Sequence, residues 1–172
     1  YLDFSMIESI RDMKSMINTQ MQRKGMLDNI KLGPGGIREI EFIGQTLQLI
    51  RAGRDPELRE RGIIRVLELL AEKHFLKQDE AKGLVRAYGF LRKLENRLQM
   101  LSDKQTHNLP EDASSRQRIC LAMGMHDWES LLDVLGSHQA AVDAVFHDLI
   151  AAEDESSSDE ASAFALYWGD AS

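Results

Sequence analysis

At 172 residues, with 43% hydrophobic content and a formal charge of −7, the chain has the size of one globular domain with a buried core and no room for a second full domain. The acidic excess argues against wholesale binding of nucleic acid or an anionic membrane surface, and no apolar run approaches the roughly 20 residues of a membrane helix. One cysteine, Cys120, rules out an internal disulfide and a four-cysteine zinc site and fits a reducing cytoplasm, and a first residue that is Tyr1 rather than methionine points to a segment of a longer polypeptide.

Three prolines and apolar residues recurring at three and four positions predict an all-α chain, a helical bundle of about six helices with a glycine-rich turn near its N-terminus. Met6, Ile10, Met13, Ile17 and Met21 place a stripe on a first helix that Gly25 can end. Residues 1–28 then read as a linking helix, 29–152 as the bundle, and 153–172 as an acidic linker with the start of a further segment. A second helix runs from about Gly36 to Ala52, and Asp55-Pro56-Glu57 opens a third through an oxygen-bearing cap and a proline that misses no donor.

The longest helix is expected from Asp79 to Ser102, with Leu84, Tyr88, Leu91, Leu94, Leu98 and Leu101 on one side. Asp103 to Asp112 is polar, contains Pro110 and reads as an extended loop. A shorter helix follows over Ser115 to Met123, broken by Gly124. Asp127 caps the last one, whose inward stripe runs from Trp128 and Leu131 to Val145 and Leu149. From Glu153 to Asp159 the chain is acidic and serine-rich, so a linker is expected there; Phe164, Leu166, Tyr167 and Trp168 then resume an apolar pattern.

Within this frame, Lys31 to Phe42 (KLGPGGIREIEF) concentrates the chemistry. Gly33, Gly35 and Gly36 let backbone approach a phosphate closely, and a helix N-terminus offers amide donors, with Lys31 and Arg38 beside it. Glu39 and Glu41 are candidate catalytic carboxylates. Residues two apart do not share a helix face, so one of them at most would ligate magnesium, and Glu39 is preferred. Without a ligand, the same residues make a tight turn whose acids favour the helix start. Arg92 and Glu95, three apart, read as a solvated ion pair, His107 as an ordinary hydrogen-bonding loop residue, and Cys120 as a small buried hydrophobe.

Three ordered motifs carry a resemblance: Asn29 to Phe42 (NIKLGPGGIREIEF), Phe90 to Gln99 (FLRKLENRLQ) and Asp103 to Pro110 (DKQTHNLP). Over roughly residues 1 to 150 the chain resembles the glutamine synthetase adenylyltransferase family in their order and separation. The resemblance implies a nucleotidyltransferase of two tandem halves, one attaching AMP to glutamine synthetase from ATP and one removing it with phosphate to give ADP, with Mg2+ as cofactor. Arg38-Glu39 is similar to the turn of the removing, N-terminal half. The implied partners are glutamine synthetase, the PII signal protein and an upstream nucleotidyltransferase domain of the same chain. The metal-binding Asp-x-Asp pair of that family has no counterpart here, so activity of this segment alone is not expected.

Overall fold

The computed structural model describes residues 28–102 and 106–168, with side chains as far as 149. The expected first helix lies outside the described residues. What is described is all-α: five α-helices and one 3-10 turn, with an isolated antiparallel bridge between Asn29 and Asn108 in place of any strand.

Helix α1, Ile37–Arg51, buries Ile37, Ile40, Ile43 and Leu47 on one side, as the three-and-four spacing requires. Helix α2 is Ile63–Glu72, α3 is Gln78–Ser102, α4 is Ala113–Met123 and α5 is Trp128–Trp168. The 25-residue α3 is the spine. It packs on α1, α2, α4 and α5, and its Leu84, Leu91, Leu94 and Leu98 are at most 2% exposed. Helices α1 and α5 close over it, and Phe42 meets Phe146 edge to face at 5.5 Å between ring centroids.

Local chemistry sets the remaining boundaries. Asp112 caps α4, its carboxylate accepting from the Ser115 amide at 2.8 Å, and Gly124 ends that helix in the left-handed conformation at φ 73°. Asp127 starts α5 in the same way, accepting from Ser130 N at 2.7 Å. The Ser130 amide comes first among the causes that hold the Asp127 carboxyl down at about 2. Cys120 is buried, and burial pushes its thiol up, as a core residue and not a nucleophile.

Two expectations are corrected. Asp55-Pro56-Glu57 does not open a long helix; it makes only the 3-10 turn Pro56–Leu58. Asp55 makes no cap bond and instead meets Lys73 Nζ at 3.2 Å, while Gln48 Nε2 donates to the carbonyls of Leu58 and Glu60 at 2.6 and 2.9 Å. Those carbonyls are lost to a continuing helix, and the chain re-enters one only at Ile63. The second correction concerns 153–159, where the backbone remains helical within α5. Extending a formed helix needs no new nucleus, and Ala, Glu and Ser tolerate it where an isolated segment of that composition would not fold.

Candidate functional site

The turn before α1 is closed on itself. The Asn29 side-chain oxygen accepts from the amides of Lys31 at 3.1 Å and Leu32 at 2.9 Å. Gly33 N donates to Asn29 O, Gly36 N to Gly33 O, Ile37 N to Ile30 O and Arg38 N to Lys31 O, all between 2.8 and 3.2 Å. Gly35 N donates to the Glu39 carboxylate at 2.8 Å, so a carboxylate of the first turn reaches back to the residue before the cap. The amide donors that the sequence offers to an anion are therefore engaged within the turn. Gly35 and Gly36 serve packing. Gly35 sits at φ 66° with its α-carbon against the backbone of Gln139 in α5, where a Cβ would overlap that backbone. A Cβ on Gly36 would lie 2.7 Å from Gly33 O and 2.8 Å from Lys31 O.

Glu39 and Glu41 diverge. Glu39 turns toward α5, where it feels Asp143 and His147, while Glu41 lies 3.9 Å from Arg38 and beside Tyr88 of α3. Among the described residues, no group of three or more His, Cys, Asp or Glu side chains is placed to hold a metal ion. A magnesium ion at either carboxylate would need its other ligands from elsewhere.

The densest convergence is around Glu95, which the sequence reading treats as one end of a solvated pair. Its residue is only 2% exposed. Arg92 Nη1 donates to Oε2 at 2.7 Å, and Oε1 lies 3.3 Å from Lys31 Nζ and 3.1 Å from His107 Nδ1. The backbone joins the same three segments. Ile30 N donates to His107 O and Leu109 N to Asp28 O, each at 3.0 Å, while Asn29 Nδ2 donates to Asn108 Oδ1 at 2.9 Å. Three motifs separated along the chain thus form one structure, with Lys31, Arg38, Glu41 and Arg92 all retaining exposed surface.

A family model described as GlnD PII-uridylyltransferase matches residues 11–150, which includes all three motifs. The chain belongs to that family. It is 53% identical over 152 residues to the bifunctional glutamine synthetase adenylyltransferase/adenylyl-removing enzyme of Nitrosococcus oceani. That match covers 88% of this chain and 16% of the relative, so the chain spans about a sixth of the length of that enzyme. The resemblance to glutamine synthetase adenylyltransferases read from the motifs is thereby borne out.

In this segment, Glu39 gives the clearest electrostatic signature. Burial raises its carboxyl from 4.5 to about 7; the Gly35 amide opposes the rise, Asp143 adds to it, and His147 opposes it. The folded state then holds this proton more tightly than the unfolded chain, so the stability it contributes is present at low pH and falls as pH rises through the window from 4.5 to about 7. Glu39→Gln keeps an acceptor for Gly35 N and removes the charge. In urea unfolding it is expected to be about 2 kcal/mol more stable than the parent chain at pH 8 and about equal to it at pH 4. The same pH dependence in both proteins would refute this account of Glu39.

Proposed function

We propose that this chain is the helical domain of a bifunctional glutamine synthetase adenylyltransferase/adenylyl-removing enzyme, in its removing half, and that the face around Lys31, Arg38, Glu41 and Arg92 meets an upstream nucleotidyltransferase domain. The observation that carries this reading is the meeting of the three motifs at Glu95, which gathers Arg92 of α3 and Lys31 and His107 of two loops beside an exposed face. A junction of that kind gives one reason for all three motifs.

In the removing reaction a phosphate oxygen bonds to the AMP phosphorus and the tyrosine oxygen of glutamine synthetase leaves, taking a proton and releasing ADP. Magnesium, held by the nucleotidyltransferase domain, would supply charge neutralisation on the phosphates. The part of this chain is to bind and orient. Lys31 and Arg38 offer positive charge to the phosphate groups, and fixed donors of this kind stabilise charge on transferring phosphoryl groups without reorganising. Gly33, Gly35 and Gly36 hold those two side chains in register through the closed turn, and Glu41 pairs with Arg38. Glu39 remains the candidate carboxylate for a ligand that reaches the α1–α5 side. The enzyme would act in the cytoplasm, with ATP and the PII signal protein entering through other parts of the chain.

A second reading is a docking module for glutamine synthetase or the PII protein. It is favoured by the turn amides being engaged and by Gly35 being sealed against Gln139. The two separate in a comparison of this chain with one extended upstream through the nucleotidyltransferase domain, assayed for phosphate-dependent release of AMP as ADP from adenylylated glutamine synthetase. Release by the extended chain, reduced at least tenfold by Lys31→Ala or Arg38→Ala with binding of glutamine synthetase unchanged, is expected; loss of binding with unchanged turnover of bound substrate would give the docking reading.

A further inference from the structure

We infer that Glu95 is a positioning residue, a buried carboxylate that anchors Lys31 and Arg92 from beneath so that their unused donors face outward and receive a phosphate-bearing substrate. The inference deepens the junction reading above and rests on it. A carboxylate 2% exposed must be compensated, since taking a lone charge out of water is costly. Here it receives more than compensation. Two permanent cations and an imidazole surround one negative charge: Arg92 at 2.7 Å, Lys31 at 3.3 Å and His107 at 3.1 Å. The excess is positive.

The contacts are also unequal. Arg92 makes an aligned hydrogen bond to Oε2, but Lys31 and His107 approach Oε1 without completing one, and both Glu95 Oε1 and His107 Nδ1 lack a hydrogen-bond partner. An ammonium has three donors and a guanidinium five, so most of the donors on Lys31 and Arg92 are free of Glu95. Their side chains are 31% and 44% exposed, whereas that of Glu95 is 3% exposed, which fixes the order of the layers: carboxylate below, cations above, solvent beyond. Such a stack suits an incoming phosphate, which would take the outward donors of Lys31 and Arg92 while Glu95 holds their stems. A carboxylate whose task was only to join the two loops would not need to hold two cations at the surface.

The test uses the enzyme extended through its nucleotidyltransferase domain, with AMP removal measured against varied inorganic phosphate and AMP attachment against varied ATP. Glu95→Gln and Lys31→Gln are each expected to raise KM for phosphate about tenfold, with a smaller change in kcat; the double variant should fall short of the roughly hundredfold product of the two, because Glu95 acts in part through Lys31. Glu95→Asp keeps the charge and is expected to recover part of the loss. An unchanged KM in Lys31→Gln, which leaves the aligned Arg92–Glu95 bond in place, overturns the inference, as does a Glu95→Gln enzyme whose kcat and melting temperature fall while KM stays put. If the wild type removes no AMP and the variants instead raise KM for ATP in attachment, the positioning role stands and the assignment to the removing half fails.

Discussion

Gly35→Ala is expected to lower the unfolding free energy of the chain by about 3 kcal/mol, the sum of placing a side chain at positive φ and overpacking a closed contact. The backbone sits at φ 66°, and the added Cβ would overlap the main chain of Gln139, which has no rotamer with which to give way. For a domain of this size the melting temperature should drop by roughly 6–12 °C. Gly136→Ala is the matched control. It lies within α5 with nothing near its α-carbon, and should gain up to about 1 kcal/mol from helix propensity alone. Equal melting temperatures for Gly35→Ala and the parent would show that α5 is not seated on the turn as described.

Why the turn was legible as a turn, but not as a packing joint, follows from what glycine encodes. Sequence shows that Gly33, Gly35 and Gly36 free the backbone; it does not show whether a phosphate or another helix uses the space. In the structure the α5 backbone uses it at Gly35, and the carbonyls of the turn itself use it at Gly36. The helices themselves were readable where their apolar spacing ran for several turns, as in α1, α3 and the first part of α5, and where a cap and a left-handed glycine agreed, as around α4. Reading failed at Asp55-Pro56-Glu57, because the competing partner of the cap, Lys73, and the donor that captures the next carbonyls, Gln48, come from other elements.

Glu95 departs from the solvated-pair expectation for a different reason, and the sequence carries the signal. Positions 84, 88, 91, 95 and 98 follow the inward face of α3, and four of them are Leu84, Tyr88, Leu91 and Leu98. A carboxylate on that stripe is either buried and paired or it breaks the helix face. Counting spacing from Arg92 alone gives a surface pair; counting it along the stripe gives a buried one. The partners lie in two loops outside α3, Lys31 far away in sequence and His107 just past the helix end, and no local pattern names them.

The second large effect follows from that burial. Arg92→Leu removes the aligned 2.7 Å hydrogen bond to Glu95 and leaves its carboxylate with the two poorly directed contacts to Lys31 and His107. Breaking a buried ion pair from one side costs about 3–5 kcal/mol, and the Lys31 ammonium that remains places this case near the lower end, about 3 kcal/mol. Because the cost arises from the stranded charge and not from the lost pair, Arg92→Leu with Glu95→Leu should recover most of it and fall within about 1 kcal/mol of the parent. Denaturant unfolding of the two singles and the double measures this coupling directly. A double variant as unstable as Arg92→Leu alone would mean that Arg92 stabilises the chain through its stem over Tyr88, where its guanidinium carbon lies 5.9 Å from the ring centroid, and not through Glu95. Recovery of stability without recovery of phosphate binding would separate the two roles of this cluster: the carboxylate is dispensable for holding the fold once its partner is gone, and required for presenting the cations.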